Sequence, residues 1–167
     1  MNTISGKRFG LGSEHPLCDT IQLIFLLLFF IIWGIDILCH YIFGFSTITV
    51  GIFSFPLLIL PALIFFTLSI YLVTKSHNVI FGESNTHQKF IDAGVYSWVR
   101  HPMYLGILLF CLGFLFLMVS LLSIVIWIAF FIIYDRMATY EEKELIKILG
   151  NEYLSYQNRV SKWLPRI

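Results

Sequence analysis

The sequence predicts an all-α integral membrane protein: four transmembrane helices, the last two a short hairpin, followed by a C-terminal amphipathic cytoplasmic helix. Three observations predict it. Of 167 residues 58% are hydrophobic and only 13% charged, against about a quarter charged in a soluble domain. Apolar stretches long enough to cross a bilayer recur along the chain. Lysines and arginines gather in three places, two before residue 21, three from Lys75 to Arg100 and six after Tyr134, while residues 44–51 carry none. The positive-inside rule puts those three segments on the cytoplasmic side, so an even number of crossings separates each from the next. The expected plan is one domain, 1–167: a cytoplasmic leader (1–20), a helical hairpin (21–74), a cytoplasmic loop (75–103), a second hairpin (104–134) and a cytoplasmic C-terminal segment (135–167).

The leader holds Lys7, Arg8, Gly10, Gly12 and Pro16 without apolar periodicity. It is polar, and the apolar run after it is long enough to span, so it does not read as a cleavable signal peptide. Residues 21–43 would make a helix about 34 Å long, enough for a hydrocarbon core of about 30 Å. Asp36 and His40 share one face near its far end and read as a polar edge at headgroup depth. Residues 52–73 form the second span, in which Pro61 should kink the helix. His77 and His87, in the polar stretch that follows, read as solvated loop residues.

The charge-free run 104–134 is 31 residues long. As one helix it would extend about 46 Å, too long for a bilayer even when tilted, and as two it gives short halves of about 22 Å each. The charge distribution selects two, turning near residues 120–123. A net charge of +1 supplies no basic stripe for a nucleic acid. Cys18, Cys39 and Cys111 have no metal-ligand spacing and read as free thiols, so no metal is expected.

Chemistry concentrates at residues 94–106, where Tyr96, Trp98, Arg100, His101, Pro102, Tyr104 and Gly106 stand at the mouth of the second hairpin. Polar groups there are costly to desolvate without a partner or ligand. The plainer reading is an interfacial anchor of aromatic and basic residues. Further on, 100° steps from Asp135 put Tyr134, Ala138, Leu145, Ile148 and Leu149 on one helical face, with Glu141 and Glu142 on either side of Leu145. Arg136, Tyr140, Lys143 and Lys147 fall on the other face. Two carboxylates within an apolar stripe break binary patterning, which points to a site. The structural alternative for Glu142 is a capping box opened by Thr139.

The ordered set Gly94-x-Tyr96-x-x-x-Arg100-His101-Pro102-x-Tyr104-x-Gly106, then Glu141-Glu142, then Gly150-Asn151-Glu152-Tyr153, resembles the superfamily of isoprenylcysteine carboxyl methyltransferases and phospholipid N-methyltransferases. The resemblance covers residues 94–165. It implies methyl transfer from S-adenosylmethionine to a lipophilic or lipid acceptor in the membrane, with Tyr96, Arg100, His101, Tyr104, Gly106, Glu141 and Glu142 holding the donor. Gly106 would let the backbone approach the ligand or serve helix packing. Family members often carry an arginine just before the glutamate pair, a candidate for steering an acceptor carboxylate. Here Met137 stands at that place, and Arg136 is the substitute candidate for a catalytic role. That departure leaves a prenylcysteine carboxylate, a lipid amine and a small thiol all open as acceptors.

The implied location is an integral, multi-pass membrane protein with both termini cytoplasmic, in the endoplasmic reticulum of a eukaryote or the inner membrane of a prokaryote. Two rival readings are a membrane sterol or enone reductase using a dinucleotide, and a non-enzymatic scaffold or transporter. The reductase would call for more membrane helices and a larger basic surface. The scaffold leaves the carboxylates on the apolar stripe unexplained.

Overall fold

In the computed structural model the described residues are 18–43, 55–81, 92–117 and 121–165. They form five α-helices: α1 (Cys18–Phe43), α2 (Phe55–Phe81), α3 (Pro102–Leu117), α4 (Leu121–Leu149) and α5 (Asn151–Arg159), with a 3-10 turn at Gly94–Ser97 before α3. The leader before Cys18, the connector 44–51, His87 and Ser120 lie outside the described residues, as do the side chains of Cys18 and His40.

Ring contacts and close approaches fix the directions of the helices. Phe66 and Val73 of α2 sit against Gly113 and Gly106 of α3, the numbers running in opposite senses. Across α3 and α4, the Trp127 indole N–H donates to the Leu108 carbonyl at 2.9 Å and the Tyr104 and Tyr134 rings lie 4.8 Å apart, again antiparallel. On the side of α1, Phe30 meets both Phe110 and Phe114, and Trp33 meets Phe114. The order is up, down, up, down, and the start of α3 and the far half of α4 share one end. The core between α1, α3 and α4 is Phe29, Tyr104, Leu108, Cys111, Leu115, Phe130, Tyr134 and Ala138. On the outside of α1, Leu23, Leu27, Ile31, Ile35 and Leu38 are exposed at three- and four-residue spacing, an apolar stripe suited to lipid.

Three helices, α1, α2 and α4, are long and apolar enough to cross a membrane, and α3 is a shorter apolar helix of 16 residues. At 1.5 Å per residue α3 extends about 24 Å, less than a hydrocarbon core of about 30 Å. The run 104–134 is therefore two helices, as the charge distribution requires, but they are unequal. Its second helix does not stop at Tyr134: α4 runs 29 residues from Leu121 to Leu149. The membrane span and the amphipathic segment that follows it are one rod, and Ser123 is buried in the first turns of that rod instead of in the turn.

Several expectations change accordingly. Helix α2 continues through His77 and Asn78 to Phe81 instead of giving way to loop at Lys75. Asp36 is 7% exposed, on the same stripe of α1 as Phe29 seven residues earlier, so it faces the bundle and is no exposed edge. Thr139 lies in mid-helix, where its hydroxyl donates to the Asp135 carbonyl at 2.7 Å. No helix begins there, and the capping box is ruled out. Gly106 has no unusual backbone angle. A Cβ built on it would come within 2.7 Å of Val73 Cγ2 and 3.4 Å of the Ser69 carbonyl, so its smallness serves the packing of α3 on α2.

Candidate functional site

Two glycines with left-handed φ bracket the site. Gly94, at φ +62°, starts the 3-10 turn that leads the chain into Arg100, and Gly150, at φ +58°, breaks α4 from α5. Glycine adopts this conformation without the Cβ clash other residues meet. The second break matters most, because it folds α5 and the chain after it back over the start of α3.

At that end the two halves of the motif meet. His101 Nε2 donates to Glu142 Oε1 at 3.0 Å, and the Tyr104 hydroxyl hydrogen-bonds to Glu141 Oε1. A carboxylate only accepts, so the Nε2 position carries the imidazole proton. His101 Nδ1 faces Glu141 Oε2 at 3.7 Å, beyond hydrogen-bond range. Arg100 Nε lies 2.9 Å from Glu142 Oε1, an ion-pair contact without hydrogen-bond alignment, and one of its terminal nitrogens donates to the Gln157 carbonyl at 3.1 Å. Gln157 Nε2 in turn donates to Glu142 Oε2 at 3.2 Å. Both oxygens of Glu142 are thus engaged by protein groups.

His101 is buried, and burial holds its pKa below the ordinary histidine value; the hydrogen bond and charge of Glu142 oppose that shift, while Lys162 and Arg100 add to it. Desolvation penalises the imidazolium more than one carboxylate rewards it. Burial likewise raises the hydroxyl pKa values of Tyr153 and Tyr156.

The face assignment on α4 holds for the residues that matter: Tyr134, Ala138 and Glu142 are buried, while Arg136, Tyr140, Lys143 and Lys147 are exposed. Ile148, expected on the buried face, is 46% exposed; at this end of α4 it is Leu145, Ile146 and Leu149 that pack against Tyr153, Tyr156 and Val160. Arg136 turns outward, away from the cluster. Tyr96 takes part through its backbone, whose carbonyl accepts the Tyr156 hydroxyl at 2.7 Å. Arg100, His101, Tyr104, Glu141 and Glu142 are brought together; Gly106 and Arg136 are not among them.

The C-terminal segment supplies what sequence reasoning missed. The Arg100 amide donates to the Ser161 carbonyl at 3.0 Å, beside a parallel bridge from Val99 to Ser161. Lys162 and Trp163 reach Asp135 on α4, and the Trp163 ring lies 6.0 Å from His101. A signal for this was present: Tyr153, Tyr156 and Val160 recur at helical spacing and are all buried.

The phospholipid methyltransferase family matches residues 52–152, which takes in α2, the turn before α3, both halves of the motif and the helix joining them. The chain belongs to this family. Among curated proteins it is similar to the protein-S-isoprenylcysteine O-methyltransferase of Saccharomyces cerevisiae, 34% identical over 109 residues, which is 61% of this chain and 44% of that protein. The enzyme of the same name from Schizosaccharomyces pombe is 28% identical over 95 residues, 54% of this chain and 39% of that protein. That of Mus musculus is 34% identical over 93 residues, 55% of this chain and 32% of that protein. The matched segment spans less than half the length of each of these relatives.

Proposed function

We propose that this protein is an S-adenosylmethionine-dependent methyltransferase acting on a lipophilic acceptor in the membrane. The observation that carries the reading is the meeting of His101 and Tyr104 with Glu142 and Glu141, from the start of α3 and the far half of α4. Residues some forty positions apart converge on one end of the bundle, beside helices that present apolar surface to lipid.

The side chains suit such a donor. Glu141 offers a carboxylate to an ammonium or hydroxyl group, held in place by the Tyr104 hydroxyl. The unprotonated Nδ1 of His101 offers an acceptor beside it. Arg100 and Glu142 anchor the backbone around them. When bound, S-adenosylmethionine supplies a methyl group already activated by its sulfonium, so this chain's own residues need mainly align the reactants and exclude water.

The relatives' names support an acceptor resembling a prenylated cysteine. Arg136 is exposed and Met137 is buried at the place where the family often has arginine, so this acceptor carboxylate would need steering from elsewhere, and the acceptor class extends to lipid amines and small thiols. Transfer of labelled methyl to a farnesylated cysteine, a phosphatidylethanolamine or an alkane thiol separates the three. The charge distribution supports cytoplasmic termini, in the endoplasmic reticulum of a eukaryote or the inner membrane of a prokaryote.

The test is isothermal titration of the detergent-purified chain with S-adenosylhomocysteine and, separately, with a dinucleotide. Binding of the first is expected. Binding of the dinucleotide alone would favour the reductase reading, and binding of neither would overturn the donor reading and move weight to the scaffold.

A further inference from the structure

After α5 the chain runs across the site as residues 160–163, and two residues on α4, Asp135 and Thr139, receive it. Lys162 Nζ donates to the Asp135 carboxylate at 2.6 Å, the Asp135 carbonyl at 3.0 Å and the Thr139 hydroxyl at 2.7 Å. An ammonium has three hydrogens, and three acceptors surround this one. The same carboxylate oxygen, Asp135 Oδ1, accepts the Trp163 indole N–H at 2.9 Å. So fixed, the indole packs between Phe131, 5.5 Å away, and His101, 6.0 Å away. Lys162 is only 18% exposed in its side chain although it lies in a surface segment. The Asp135 side chain it meets is 40% exposed, so the ion pair is partly screened by solvent; what fixes the half-buried ammonium in one place is that three acceptors engage all its hydrogens at once.

We propose that Asp135 and Lys162 form a latch that holds the Trp163 indole against His101, making residues 160–163 a strap that closes the site and positions its histidine. Asp135, Lys162 and Trp163 are positioning residues. They act through His101 and through the Arg100 amide, which the Ser161 carbonyl accepts one residue before the latch. The strap also contributes to the dryness of the site, because the indole covers an imidazole whose other neighbours are Arg100, Tyr104, Glu141 and Glu142.

For its ligand arm the test rests on the donor reading above; its first arm does not. The full chain in detergent is prepared as wild type, Asp135→Ala, Lys162→Met, the double variant and Lys162→Arg. Alanine favours helix, so α4 should persist in the first. Chymotryptic cleavage after Trp163, followed by mass spectrometry, reads release of the strap. Each single variant should be cut about ten times faster and should bind S-adenosylhomocysteine about ten times more weakly, the scale of one lost charge-assisted bond. The double should be no worse than either single, since the two residues act as one unit. Lys162→Arg keeps the charge and can still donate to Asp135, so it should recover to within about threefold of wild type. Unchanged cleavage in both singles, or additive losses in the double, would overturn the latch. Faster cleavage with unchanged affinity would overturn its positioning role. A wild type that fails to bind S-adenosylhomocysteine while the cleavage pattern holds would sink the donor reading and leave the latch standing.

Discussion

Around Gly113, α3 meets its neighbours through apolar side chains, many of them rings: Phe66, Phe110 and Phe114 pack edge to face with one another, with centroids 5.1 to 5.5 Å apart, beside Cys111 and Leu115 of the core. At the other end of the same helix, Arg100 and His101 meet α4, α5 and the C-terminal strap through the Glu142 carboxylate and the backbone carbonyls of Gln157 and Ser161, and the Gln157 amide side chain donates to the same carboxylate. The ring-packed end is specified redundantly, because many apolar side chains of similar volume would fill it. The polar end depends on particular atoms, since a buried charge left without its partner costs far more than a missing methyl group. Composition therefore builds the body of the molecule, and a handful of named groups builds its mouth.

The largest expected effect tests that contrast directly. Glu142→Ala leaves Arg100 and His101 facing each other without the carboxylate that joins them, and should cost on the order of 3–5 kcal/mol of stability. Melting followed by circular dichroism in detergent checks it. A variant that melts like wild type would show that the polar end tolerates substitution as the apolar end does.

Glu141 separates ligand binding from stability. Glu141→Gln should weaken S-adenosylhomocysteine binding roughly ten- to a hundred-fold, the loss of one charge-assisted contact, with little change in melting. Lys147→Gln serves as its control: Lys147 lies on the outward face with its side chain 69% exposed, and should change affinity by well under threefold, as surface substitutions usually do. Equal affinities for both variants would remove Glu141 from the site.

Gly106→Ala should do the reverse. Its new methyl group would press on Val73, a β-branched side chain with little freedom to move, and overpacking of this kind costs about 1–3 kcal/mol. Melting should fall while the affinity of the folded protein stays at the wild-type value. Lost affinity without lost stability would return Gly106 to the ligand.

The smallest effect concerns pH. Because burial holds the His101 pKa below the ordinary value of 6.5, the unfolded chain binds more protons than the folded one between those two values. Stability from this group is then fully present above about 6.5 and is lost as pH falls toward the depressed folded value. Glu141 and Glu142 from α4, Lys162 from the strap and the neighbouring Arg100 all face the ring and shape that window. Melting curves from pH 7.5 down to 5.5 should slope less in His101→Gln than in wild type; parallel slopes would show that folding leaves the His101 pKa unshifted, and a shallower or reversed slope in wild type that the fold favours its charged form.

By itself the sequence determined the helical body and singled out the polar groups, Arg100, His101, Tyr104, Glu141 and Glu142, that the fold brings together. Long apolar runs admit only helices in a membrane, because every backbone polar group must be satisfied within its own segment. The helical period alone put Glu142 with Tyr134 and Ala138 on the buried side of α4, and Arg136 and Lys147 on the other. The tertiary structure decided what depends on distance between remote residues. A pattern cannot tell a glycine that admits a ligand from one that admits Val73, nor show that α4 passes Tyr134 unbroken. Nor could spacing show that Gln157, Ser161, Lys162 and Trp163 return across the motif: local sequence sets a helix face, but only the break at Gly150 and the packing of α5 set where the next segment lands.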